Sequence, residues 1–546
     1  MANLDDIPEE VLLDIVEYVY PNKADASNDL TSLRLYDKTK DIADLKSLRL
    51  TSRKFSRLAT RPLFAAVSCT ILDAESLERL ENVSQHSHIS GIMKTVHLKL
   101  GFYDPILAED PAGLAKYLLW AWEDYQEPAP GDTAAWEAVP TTEEIAMRHT
   151  MEEWVYLSRY ANRRDRERHL PVLHAILDEY RRRYTEQQNL RKNGDAIHRV
   201  GEAMARMPAT SLVLQDSRQA HSHLGPLLLS TLKANADPAK LALPLSWTDC
   251  ARLKEERRLR EFTPPFDLLI DIPVSLHRAN VTLTELRILG LQIPDELRAW
   301  DSIDPYGWDR HPSGLAPLDL TNEIQLATAE DLAEACSDLQ VLQFDPQTKR
   351  VKDIVQFFMH HFRDRLSRFS QIIGQMCKTQ NLRKLHIDCI CVDYGSNPDP
   401  NTHYHEAIFK SAFWPNLESL HIKNGRLESA DTLVNLIQNL PKLSNLQLDT
   451  CGLDYFHIDG TPDTRWTYFL EQLKKEVHRL RKNGLKQRDV YTVDELRRRV
   501  GFSFNVELGG FTEVDNYLRG VTDVNPVVAV FERLNLIAFF ESLNLA

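Results

Sequence analysis

The stretch Asp5–Val19, DDIPEEVLLDIVEYV, sets Val11, Leu12, Ile15, Val16 and Val19 at helical spacing. Asp5 and Asp6 flank its start, and Pro8 fits a first helical turn because its missing N–H has no partner there. Glu9 and Glu10 favour the positive end of the helix dipole. The pattern predicts a short helix with one apolar face. A heptapeptide then occurs twice, as DLTSLRL at Asp29–Leu35 and as DLKSLRL at Asp44–Leu50. Only the second copy runs on into an apolar helical pattern: Leu45, Leu48 and Leu50 lead to Ser52 as an N-cap, then Phe55, Leu58 and Ala59, with Pro62 closing the unit. Pro21–Ala43 reads as an inserted loop holding a helical turn. Three helices this short enclose a very small core, and such a unit leans on a partner.

Past residue 90 the rhythm changes. LTELRILGLQI (Leu283–Ile293), LQVLQF (Leu339–Phe344), LRKLHI (Leu382–Ile387), LESLHI (Leu417–Ile422) and LSNLQL (Leu443–Leu448) share the form L-x-x-L-x-apolar. The last runs on to Cys451 and Leu453, which completes the leucine-rich-repeat pattern of a short strand followed by a turn and a return. Met93–Leu100 and Ala209–Asp216 read as weaker copies upstream. One such unit cannot bury its own apolar side, so neighbours must stack. Thr328–Ser337, Asp353–Lys378 and Ser429–Leu440 are the expected return helices. A helical insertion is expected over about residues 108–208, carrying Trp120, Trp122, Trp136 and Trp154, with a loop at Gln126–Pro140 and a break at Pro171. Near the C-terminus, Trp466–Lys486 reads as a basic helix and Phe502–Leu508 as an alternating strand. Residues of about 455–546 would cap the open end of the stack.

Composition narrows the function class. The chain has 546 residues and a formal net charge of −14, so it lacks the basic footprint of a nucleic-acid carrier. Seven scattered cysteines without a CxxC pair point to a reducing, intracellular setting, cytoplasmic or nuclear. No run of apolar residues reaches the length of a membrane span, and no signal peptide or lipidation motif is visible.

Few residues suggest chemistry. Cys377, Cys389, Cys391, His403 and His405 are the densest Cys/His group, but the cysteines fall near inward strand positions where a small apolar side chain fits. Cys451 occupies the corresponding position of its own unit. His405-Glu406 opens like a zinc-protease motif and then fails, because Phe409 stands where the second histidine belongs. Phosphate-binding and nucleophile-elbow motifs are absent. The basic runs Arg159–Arg168 and Lys474–Arg488 are interleaved with polar residues, as on a solvated helix face. No catalytic, metal or cofactor site is expected.

The segments IPEEVLLDIVEYV and DLKSLRLTSRKFSRLATRPLF resemble the F-box, the helical module that docks onto the Skp-type adaptor of cullin ubiquitin ligases. Ile7-Pro8, Glu10, Ile15, Asp44-Leu45, Leu48, Ser52-Arg53, Phe55 and Leu58 follow the family pattern in order. Ile7 replaces the commoner Leu, and the insert between helices is a departure. YRRRYTEQQNL (Tyr180–Leu190) looks like a Tyr- and Gln-bearing helix found in fungal members with leucine-rich bodies. The resemblance implies an α/β (α+β) architecture: a three-helix F-box over residues 1–68 with its loop at about 21–43, then an irregular leucine-rich-repeat solenoid over 69–546. It implies a non-catalytic substrate receptor that binds a Skp-type adaptor, and cullin through it, while the body recruits an unknown protein. A scaffold that binds the adaptor without any role in ubiquitylation is the alternative. The adaptor-binding residues implied are Leu4, Ile7, Pro8, Val11, Leu12, Ile15, Leu45, Leu48, Ser52 and Phe55. Asp301–Leu320 and Gly395–Thr402 are candidate partner-contacting loops.

Overall fold

The five segments of the form L-x-x-L-x-apolar between Leu283 and Leu448 each form a strand. The computed structural model describes residues 38–126, 141–160, 170–192, 194–216, 237–247, 268–291, 323–345, 372–388 and 413–423. It also describes shorter runs at 426–427, 430–443, 445–449, 452–453 and 490–492, and scattered positions that include Val11, Leu12 and Val16. The strands are β1 (Ala66–Thr70), β2 (Thr95–Lys99), β3 (Ser211–Gln215), β4 (Glu285–Leu289), β5 (Val341–Asp345) and β6 (Lys384–Asp388). Then follow β7 (Ser419–Lys423), β8 (Arg426–Leu427), β9 (Asn445–Asp449), β10 (Gly452–Leu453) and β11 (Val490–Thr492).

The protein is mixed α/β, built on a parallel sheet. Nine strands lie in the order β1-β2-β3-β4-β5-β6-β7-β9-β11, every neighbouring pair parallel. β8 and β10 form a separate parallel pair. One register runs through the sheet: Leu212, Leu286, Leu342, Leu385, Leu420 and Leu446 are successive cross-strand partners. Leu214, Ile288, Phe344, Ile387 and Ile422 form a second row two residues on. Both rows join the main core. A slip of one residue would turn a whole strand's leucines to the other face, which is why the register holds.

Two strands escape the leucine pattern. In β1, AVSCT, Cys69 takes the core position opposite Leu98. This strand crosses the boundary expected at residue 68, so the sheet begins inside the segment assigned to the helical module. β11 extends the sheet within the region expected to be a cap. Phe502–Leu508 lies outside the described residues.

The helices are α1 (Lys38–Arg49), α2 (Arg53–Leu63), α3 (Ala74–Gln85), α4 (Pro105–Glu109), α5 (Pro111–Gln126) and α6 (Thr142–Tyr160). They continue with α7 (Pro171–Lys192), α8 (Asp195–Ala205), α9 (Leu268–Arg278), α10 (Glu323–Ala335) and α11 (Ala430–Gln438). Consecutive returns pack side by side: α8 touches both α3 and α9, and α9 touches α10. Arg199 of α8 makes a forked bond to Glu81 of α3 at 2.7 and 2.8 Å, and Arg278 reaches Asp331 at 2.6 Å. Around the insertion expected over about residues 108–208, α4 begins at Pro105, and α8 packs in the row of return helices. Pro171 opens α7, where a proline costs no hydrogen bond. Trp122 and Trp154 are buried between α5 and its neighbour α6 or beside them, while Trp136 lies outside the described residues.

α7 is tied to the chain after β2 by buried polar bonds. The Gln187 carbonyl accepts from Tyr103 N at 2.7 Å, and its amide donates to Tyr103 O at 2.7 Å. Tyr180 Oη accepts from Asp104 N at 3.0 Å, and Arg183 donates to Tyr103 Oη at 3.1 Å. This is the Tyr- and Gln-bearing helix of the sequence, and it stands before β3. Trp247 locks the next crossing segment, donating from Nε1 to Leu100 O at 2.8 Å. No helix among the described residues is long and apolar enough to cross a membrane.

Candidate functional site

Two surfaces separate from the main core. The first is helical. Leu12, Val16, Leu45, Phe55 and Ala59 form their own buried cluster, with Leu48, Leu58 and Leu63 packed around it. Ser52 caps α2 from an extended backbone, its hydroxyl accepting from Phe55 N at 3.2 Å. That bond satisfies one of the free N–H groups at the helix start. α1 begins at Lys38, so the last residues of the expected insert, 38–43, are helical.

This geometry divides the residues expected to bind an adaptor. Leu12, Leu45 and Phe55 are 0, 0 and 3% exposed, so they hold the helices to one another and have no surface left for a partner. Leu48 is half-buried against the same cluster, and Ser52 is occupied in capping. Val11 stands 46% exposed on the other side of its helix. Leu50, just past the end of α1, is 87% exposed. Its exposure follows from α1 stopping at Arg49, where a turn takes over. Leu4, Ile7, Pro8 and Ile15 lie outside the described residues.

The second surface is the sheet face turned away from the leucine rows. Its middle row contains Arg287, Gln343, His386, His421 and Gln447 as successive cross-strand neighbours. The His386 and His421 rings meet edge to face, 4.1 Å between centroids. Gln343, His386 and His421 are 0, 2 and 1% exposed. Burial, aided by repulsion from His421 and Lys423, keeps the His386 imidazole neutral and pushes its pKa down to about 2. At the end of the strands Lys423 bonds Asp388 at 2.9 Å and approaches Asp345 at 3.7 Å. Arg287 is paired with Glu285.

The candidate chemistry is sparse. Burial pushes the Cys336 thiol up to about 12, and that of Cys377 higher, so neither is a ready nucleophile. Among the described residues no group of three His, Cys, Asp or Glu side chains is placed to hold a metal. Cys389, Cys391, Cys451, His403 and His405 lie outside the described residues, as do Asp301–Leu320 and Gly395–Thr402. Phe409, where the protease motif fails, is a buried core side chain. Of the basic runs, Lys474 is engaged with Asp523 at 3.1 Å. No protein-family model matches the chain, and no curated protein matches it either.

Proposed function

We propose that the chain is a non-catalytic receptor: an F-box-like helical module docks onto a Skp-type adaptor, and a leucine-rich-repeat solenoid presents a second surface to a protein substrate. The observation that carries this reading is the separate helical cluster around Leu12, Leu45 and Phe55, which leaves apolar side chains at Val11 and Leu50 uncovered. The F-box-like order of residues from Ile7 to Leu58 supports it. Amphipathic helices laid into an apolar groove are a common docking mode, and a few buried anchors dominate such contacts. The nine-stranded parallel sheet in chain order supports the solenoid half of the reading, because stacked units pair only with their neighbours. Joined to cullin through the adaptor, the receptor would act by raising the local concentration of its substrate near the ubiquitin-charged enzyme.

The test uses the exposed residues, since a charge at Leu12 would unfold the cluster itself. In the double variant Val11→Asp, Leu50→Asp, co-purification with a Skp-type adaptor should fall about tenfold or more, as for loss of hot-spot side chains. The melting of the sheet body should stay as it was. Undiminished co-purification overturns the docking claim.

A further inference from the structure

Gln343 and His386 stand next to each other on β5 and β6, on the sheet face turned away from the helices. A carboxamide carries two donors and a carbonyl acceptor, and a neutral imidazole carries one donor and one acceptor. Neither the amide atoms of Gln343 nor the ring nitrogens of His386 have a hydrogen-bond partner. Water does not reach them, at 0 and 2% exposure. A buried polar group left in that condition bears its whole desolvation penalty, and native structures keep few of them.

We infer that this row is a recognition site for an extended, unphosphorylated segment of a partner protein, whose peptide or carboxamide groups supply the missing donors and acceptors. This rests on the receptor reading above and names the chemistry of its substrate. A ligand group that both donates and accepts fits best, because each orphaned side chain offers both. The charges around the row argue against phosphate. Asp345 and Asp388 lie two residues further along the same strands and share one cation, Lys423. Arg287, the guanidinium beside Gln343 in the row, is already held by Glu285. Phosphopeptide readers present clustered arginines free to fork onto phosphate oxygens. Because the row is closed to water in the free chain, the face must open before a segment can enter. The apparent affinity is then scaled down by the fraction of open molecules.

The experiment measures binding of fluorescent nonapeptides to the purified full chain, without adaptor. The peptides share one Ser/Gly-rich sequence and differ at the centre: Gln, Leu, Glu or phosphoserine. The Gln peptide should bind about tenfold more tightly than the other three, the scale of one or two well-made buried hydrogen bonds. Gln343→Leu should abolish that preference and at the same time raise the melting temperature of the free chain, since it removes an unpaired buried amide. His386→Phe should weaken the preference in the same direction. Preference for phosphoserine, no peptide exceeding the Leu control, or a lowered melting temperature in Gln343→Leu overturns the inference. Both variants should co-purify with the adaptor as the wild type does, which keeps failure here distinct from failure of the docking claim.

Discussion

Among the described residues two glutamines are shut away from solvent, and they are used in opposite ways. Gln187 on α7 spends both ends of its amide on the backbone of Tyr103. Gln343 on β5 spends neither. The first closes a circuit that fixes a helix against the chain after β2. The second leaves a donor and an acceptor unpaired. A satisfied buried amide is a structural device, whereas an orphaned one bears its desolvation cost without return.

The largest effect should come from breaking the satisfied member. Gln187→Leu leaves both the N–H and C=O of Tyr103 without partners, at a cost of about 3 kcal/mol. Urea melts of the variant should show it, and a loss below about 1 kcal/mol would mean the circuit is not what holds α7.

The next effect sharpens the contrast through pH. Burial pushes the Asp104 carboxyl up to about 7 despite its bonds from the Ile106 and Leu107 amides. Its folded form therefore keeps a proton that the unfolded chain has lost, and its contribution, complete below the unfolded pKa of about 4, is lost as pH rises through 7. His386 acts with the opposite sign. Its contribution is complete above the unfolded pKa of about 6.5 and is lost as pH falls below that value. Between pH 5 and 6.5 each contribution changes by about 2 kcal/mol, and in the wild type they offset. Asp104→Asn should expose acid sensitivity in that window, and His386→Phe should make the protein more stable as the pH drops. Melting curves of both variants at pH 5 and 6.5 decide it, and parallel curves would refute the assignment of the two groups.

The smallest effect is at the edge of the Gln187 circuit. Tyr180→Phe removes the acceptor for Asp104 N–H and should cost about 1 kcal/mol by the same melts. A cost equal to that of Gln187→Leu would place the strength of the circuit at the wrong residue.

The sequence showed most of the sheet because L-x-x-L-x-apolar marks both the strand and its register. It hid β1, whose core position is filled by Cys69, and β11, a three-residue strand without a leucine repeat. It also hid α3, α8 and α9 as members of one helix row, because their adjacency is set by which strands they connect and not by their own pattern. In the helical cluster, apolar spacing located the residues but could not say which face was covered, so Leu12, Leu45 and Phe55 looked equivalent to Val11. The Gln343 and His386 row occupies the x between two core positions, where the pattern assigns a solvent-facing side chain. Nothing in a single sequence announces that such a position is buried.

The shared register has a consequence for how the chain could diversify. β2 ends at Lys99 and β3 starts at Ser211, while β7 ends at Lys423 and β9 starts at Asn445, yet both gaps return the chain to the same pairing. Closing a flexible connection costs only about 0.6 kcal/mol for each doubling of its length. Long additions between strands are thus thermodynamically mild so long as the leucine spacing at either end is kept. New lobes could be spliced into almost any connection, giving lineages of this architecture distinct outer contours over an unchanged ribbed floor.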